Sequence, residues 1–69
     1  MSIGNEIRKL AFDNAVTITQ LAEYIAEKRQ KPYSVQNLSI KLKKGTANFN
    51  ELEMILEKLG YEIEFVKKQ

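Results

Sequence analysis

Ser34-Val35-Gln36-Asn37-Leu38-Ser39-Ile40-Lys41-Leu42-Lys43-Lys44-Gly45 opens on a serine able to accept a hydrogen bond from an orphan N–H. It carries apolar residues at Val35, Leu38 and Leu42, and closes on a glycine able to take positive φ. The pattern predicts one short amphipathic helix. With Leu38 and Leu42 turned into a core, a step of about 100° per residue puts Gln36, Ile40 and Lys44 on the opposite face, with Asn37 and Lys43 beside them. That face mixes amides, an isoleucine and lysines without a carboxylate. Amides read base edges, an apolar tip meets a thymine methyl, and lysines neutralise phosphate.

Composition narrows what the remainder can be. The chain has 69 residues, enough for one domain (1–69) with a small core, so a second copy is expected to add stability. It contains no cysteine and no histidine. This argues against disulfides, the usual zinc sites, Ser/His or Cys/His nucleophile pairs and the commonest general base, so neither an enzyme nor a metal or other cofactor is expected. No apolar run reaches membrane-spanning length, and Met1-Ser2-Ile3-Gly4-Asn5-Glu6 lacks the basic-then-apolar order of a signal peptide. A cytoplasmic protein without a membrane partner is expected.

The net charge of +2 conceals a segregation. Between positions 28 and 50 lie Lys28, Arg29, Lys31, Lys41, Lys43 and Lys44 and no acid, so all nine carboxylates fall outside this window. Such a distribution suits a polyanion-binding face on an acid-rich body. A solvated basic surface without a partner is the alternative.

Flanking segments read as further helices. Residues 2–13 place Ile3, Ile7, Leu10 and Ala11 at helical spacing, with Ser2 as a cap, Arg8 and Lys9 outside and Phe12 as an addition to the core. Thr17 caps a second helix from Ile18 to about Arg29, with Ile18, Leu21, Ala22 and Ile25 on one face. Gln20, in its first turn, is either a donor to a phosphate or a solvent-exposed glutamine. Pro32 requires this helix to end by about Gln30, and Tyr33 leads into Ser34 as a hydrophobic staple. After Gly45, Asn48 caps a last helix with Glu51 at the capping-box position. Its buried stripe is Leu52, Ile55, Leu56 and Leu59, and Gly60 is the C′ residue.

The tail changes period. Tyr61, Ile63 and Phe65 alternate with Glu62 and Glu64, the pattern of a short half-buried strand. A lone strand in a helical chain needs a partner for its backbone, and the same strand of a second copy supplies one across a two-fold axis. Residues 61–66, through Tyr61, Ile63 and Phe65, are therefore the expected dimerisation element. The alternative is a tail whose apolar side packs on the first and last helices. Glu62 and Glu64 share one exposed strand face, where solvation accounts for them without chemistry.

Thr17, Leu21, Ala22 and Ile25, followed by Ser34, Leu38, Ser39 and Leu42, resemble the helix-turn-helix of the lambda-repressor-like (Cro/repressor, XRE) family of small phage and bacterial regulators. Small Ala22 and Ser39 fall where that family lets two helices approach closely. The run from Ser34 through Gly45 and Thr46 looks like the recognition helix of small phage-type members, and the Leu59-Gly60-Tyr61-Glu62-Ile63 ending also fits. The resemblance covers nearly the whole chain. It implies a mainly α fold, a four-helix lambda-repressor-like domain with a short C-terminal β-strand, acting as a dimeric, sequence-specific regulator on a double-stranded DNA operator. It further implies base contacts from Gln36, Asn37, Ile40 and Lys41, and phosphate contacts from Gln20, Lys28, Arg29, Lys31, Lys43 and Lys44. One departure stands out: the family enters the capping serine within a few residues of Ile25 through a glycine turn, whereas Ala26 to Tyr33 intervene here. Either the first motif helix is longer or the turn is larger. A second functional reading is a protein-interaction module, inhibitor or antitoxin-like, on the same scaffold.

Overall fold

The computed structural model of the chain describes residues 3–68. It contains four helices, α1 (Ile3–Asp13), α2 (Ile18–Arg29), α3 (Val35–Lys44) and α4 (Phe49–Leu59), and no strand among the described residues. The Ser2 cap lies outside them. No helix is long and apolar enough to cross a membrane among the described residues.

Each boundary has a local cause. Thr17, Ser34 and Asn48 sit in extended conformation and accept a hydrogen bond from the backbone N–H of Gln20, Asn37 and Glu51 respectively. Gln20 and Glu51 in turn accept from the capping residue's own N–H, which completes two capping boxes. Gly45 (φ 72°) and Gly60 (φ 91°) end α3 and α4 in left-handed conformation, as the sequence predicts. Ala15 and Gln30 do the same after α1 and α2, both at φ 56°, without the freedom of glycine. At Gln30 the stop is closed by Lys31 N–H donating to the Ala26 carbonyl at 3.2 Å and Gln30 N–H to the Glu27 carbonyl at 3.3 Å. Of the two options for the segment between Ile25 and Ser34, a longer helix holds: α2 runs on to Arg29, and residues 30–34 make the connection to α3.

α1 and α2 each pack on both α3 and α4. Ile7 and Ala11 from α1, Leu21, Ala22 and Ile25 from α2, Leu38 and Leu42 from α3, and Ile55 and Leu59 from α4 form one core. Leu10, Val16, Ile18, Tyr33, Leu52, Met54 and Leu56 are half-buried against it.

The first helix buries most of its expected face, through Ile7, Ala11 and the half-buried Leu10. Ile3 is exposed and Phe12 is 85% exposed, so neither joins the core, and Val35 in the first turn of α3 is also exposed. Besides the expected Ile7 and Ala11, the buried stripe of α1 includes Gly4. A Cβ built on Gly4 would lie 1.8 Å from the Leu42 carbonyl oxygen, so only a residue without a side chain allows α1 to approach the α3 backbone here. Phe12, one step of about 100° beyond Ala11, points away from that stripe and stays in solvent.

After Gly60 the tail turns back along α4. The Asn14 amide donates to the Tyr61 hydroxyl at 3.4 Å, Ile63 is half-buried, and the Phe65 ring stacks on Phe49, at the start of α4, with centroids 6.2 Å apart. The expected strand is therefore not formed within the single chain. A ladder needs a neighbouring strand, and helices offer none, so the tail lays its apolar side on α4 instead.

Candidate nucleic-acid interface

α3 presents Gln36, Asn37, Ile40, Lys43 and Lys44 to solvent, and Ile40 is 52% exposed. Ser34 fixes the start of this face: its Oγ takes the Asn37 N–H at 3.0 Å, holding the first turn that carries both amides. Lys43 and Lys44 have no ion-pair partner among the described residues. α3 is held from behind by α1, where the Arg8 guanidinium donates to Ser39 Oγ at 3.1 Å and to the Ser39 carbonyl at 3.4 Å. The helical pattern of α1 places Arg8 in solvent and carries no signal for this brace, since its partner lies 31 residues away.

Lys41 departs from the role the resemblance implies. Its side chain is half-buried, and Nζ lies 2.8 Å from Oε2 of Glu51, whose side chain is 1% exposed. The same oxygen accepts from the Tyr33 hydroxyl, while Oε1 accepts the Asn48 N–H at 3.0 Å. Lys41 and Arg29 both lie over the Tyr33 ring, at 5.6 and 5.7 Å from its centroid. A buried carboxylate thus ties the start of α4 to the middle of α3 and to the residue that precedes the α3 cap.

The electrostatics follow from this wiring. Burial opposes ionisation of Glu51, but hydrogen bonds from Lys41, Tyr33 and the Asn48 backbone, with the Lys41 charge, outweigh it and hold the carboxyl below its ordinary 4.5. Burial, followed by the hydrogen bond to Glu51 and its charge, pushes the Tyr33 hydroxyl well above its ordinary 10.0. The sequence shows Glu51 at the capping-box position. It does not show that the second oxygen serves two other segments.

The remaining predicted phosphate ligands separate into two groups. Arg29, Lys31, Lys43 and Lys44 are exposed. Lys28 is instead 3.1 Å from Glu57 on α4 and 5.5 Å from the Tyr24 ring centroid. Tyr24 also donates to Glu57, and the Tyr24 and Lys28 hydrogen bonds hold that carboxyl below its ordinary value. Gln20 commits its carbonyl oxygen to the Thr17 N–H at 2.9 Å and lines a groove with Glu23, Tyr24, Glu27 and Lys58. Its nearest charged company is therefore largely acidic.

Tyr61, Ile63 and Phe65 meet different parts of α4. Tyr61 and Ile63 line a groove with Glu53, Glu57 and Glu62, whereas Phe65 joins Phe49. Phe49, Phe65 and Val66 leave an exposed apolar patch near the start of α4, with Phe65 84% exposed. No protein-family model, curated protein or solved structure matches the chain.

Proposed function

We propose that the chain is a sequence-specific double-stranded DNA-binding regulator of the phage or mobile-element kind, with α2 and α3 as a helix-turn-helix and α3 as the element that enters the major groove. The observation that carries this reading is the exposed face of α3, where two amides, a half-exposed isoleucine and two lysines without ion-pair partners among the described residues stand together. Ten residues of helix measure about 15 Å, enough to lie along a major groove about 12 Å wide. Gln36, Asn37 and Ile40 read bases, and Arg29, Lys31, Lys43 and Lys44 hold phosphates. Lys41 is left out of the reading set because its ammonium is held by Glu51, and Lys28 is left out of the phosphate set because it pairs with Glu57, while Gln20 keeps its amide N–H donors for a phosphate, since the capping box uses only its carbonyl oxygen.

Function as a homodimer belongs to the same reading. The tail from 61 to 66 carries the alternating side chains of a strand, and antiparallel pairing about Phe65 sets Glu62 opposite Lys68. The exposed Phe49, Phe65 and Val66 are the apolar surface that such an association would cover. Two recognition helices fixed in this way meet successive major grooves about 34 Å apart. A cytoplasmic location belongs to the same reading.

Selection of binding sites from random duplexes tests the function. Enrichment of an inverted repeat is the expected result. Absence of any enrichment at low salt rejects DNA reading and leaves the protein-interaction module, with Ile40 as a buried anchor in a partner's groove.

A further inference from the structure

We infer that Glu51 is a positioning residue for DNA recognition: it holds Lys41 inside the fold, so that Lys41 contributes neither to base reading nor to phosphate binding and α3 meets DNA with its polar and apolar readers uncrowded by a third lysine. This inference rests on the DNA-binding reading above and assigns a role to a group that reading does not use. Glu51 is on a different helix from the reading face and reaches it through Lys41.

The geometry makes the arrangement specific. Relative to Leu38, Lys41 projects from the flank of α3 that also carries Asn37 and Lys44, so its four-carbon stem can swing either outward toward a phosphate or inward toward α4. The inward position is fixed by the 2.8 Å contact to Glu51 and by the face of Tyr33. Glu51 is itself immobilised by the Asn48 N–H on one oxygen and the Tyr33 hydroxyl on the other. A carboxylate with both oxygens engaged and 1% exposure cannot exchange Lys41 for water without leaving an uncompensated buried charge. Lys43 and Lys44, which carry no such restraint, supply the counterion release.

An outward Lys41 would strengthen binding to every sequence equally, since phosphates carry no direct sequence information. Restraining it lowers affinity for operator and random DNA alike and leaves their ratio to the readers on α3.

The test measures the slope of log affinity against log salt on a random duplex and on the selected site, for wild type, Glu51→Gln and the double variant Lys41→Met, Glu51→Gln. Glutamine suits the capping box and accepts from Asn48, so the helix start is kept. Glu51→Gln is expected to steepen the slope by about 0.9 per subunit on both duplexes as Lys41 reaches a phosphate. The double variant is expected to return the wild-type slope. An unchanged slope in Glu51→Gln overturns the inference, as does a double variant whose slope falls below wild type by about 0.9 per subunit, which would place Lys41 on a phosphate in the native protein. If Glu51→Gln does not fold, the double variant, with no charge left buried, decides alone. Absence of salt-dependent DNA binding in the wild type would instead reject the DNA-binding reading itself, a result distinct from either outcome.

Discussion

The outward face of α3 and the outer face of the α2·α4 pair both carry lysines, and the two faces treat them differently. On α3, Lys43 and Lys44 stand in solvent without a carboxylate partner among the described residues, while Lys41 is drawn inside. On α2·α4, Lys28 pairs with Glu57, and Lys28 and Lys58 both sit over the Tyr24 ring, 5.5 and 5.6 Å from its centroid. Glu23 and Glu27 share a groove with Lys58 there. A count of basic residues along the sequence gives both regions a positive contribution. The charge offered to a polyanion is what remains after internal pairing, and on α3 that is Lys43 and Lys44.

The sharpest way to break this comparison is to remove one lysine from each region. Lys41→Met leaves Glu51 buried without its cation and is expected to destabilise the fold by about 3 kcal/mol, the lower end for a broken buried pair because Tyr33 and Asn48 still donate. Lys28→Met removes an exposed pair and is expected to leave the urea midpoint where it is. Urea titrations of both variants check the contrast, and equal destabilisation would erase it.

Gly4→Ala probes the support behind α3. Helix propensity alone favours alanine by about 1 kcal/mol. The added Cβ instead meets the Leu42 carbonyl, so α1 must shift from α3 at a net cost of about 2 kcal/mol. Urea denaturation gives the sign directly, and a stabilised variant would refute the close approach.

Smaller effects distinguish the two regions by pH. Glu51 has a folded pKa below its ordinary 4.5, so the unfolded chain takes up its proton first as pH falls. The stability it contributes is complete above 4.5 and is lost as pH drops toward the folded value. Tyr33 is shifted upward from 10.0, so its contribution is complete below that pH and declines as the unfolded chain ionises above it. Thermal melts of Tyr33→Phe and wild type across pH are expected to differ in the alkaline limb, where only the wild type loses the Tyr33 contribution. Coincident limbs would remove Tyr33 from the network.

Much of this fold is legible because it is local. Thr17, Ser34 and Asn48 cap helices through side chains that reach three residues ahead, and Gly45 and Gly60 stop them through their own φ, so the linear order carries those boundaries. Leu38 and Leu42 are read from the period of a single helix. The features that escape such reading need two elements at once. Gly4 matters only against the Leu42 backbone, the inward turn of Lys41 requires Glu51 on α4, and the fate of the tail depends on whether a strand or a helix lies beside it. Phe12 is exposed because it lies a step of about 100° beyond Ala11, off the stripe of Ile7 and Ala11. In the candidate site, the amides and Ile40 follow from the helical wheel, whereas the division of lysines into paired and unpaired does not.

The most direct test of the central claim compares salt dependence of binding to duplex DNA for wild type, Lys43→Ala with Lys44→Ala, and Lys28→Ala with Lys58→Ala. Deleting one phosphate ligand lowers the log–log slope by about 0.9, so the α3 pair is expected to flatten it by about 1.8 per subunit while the α2·α4 pair leaves it at the wild-type value. A slope that falls for the α2·α4 pair and holds for the α3 pair would place the polyanion on the opposite face and contradict the account.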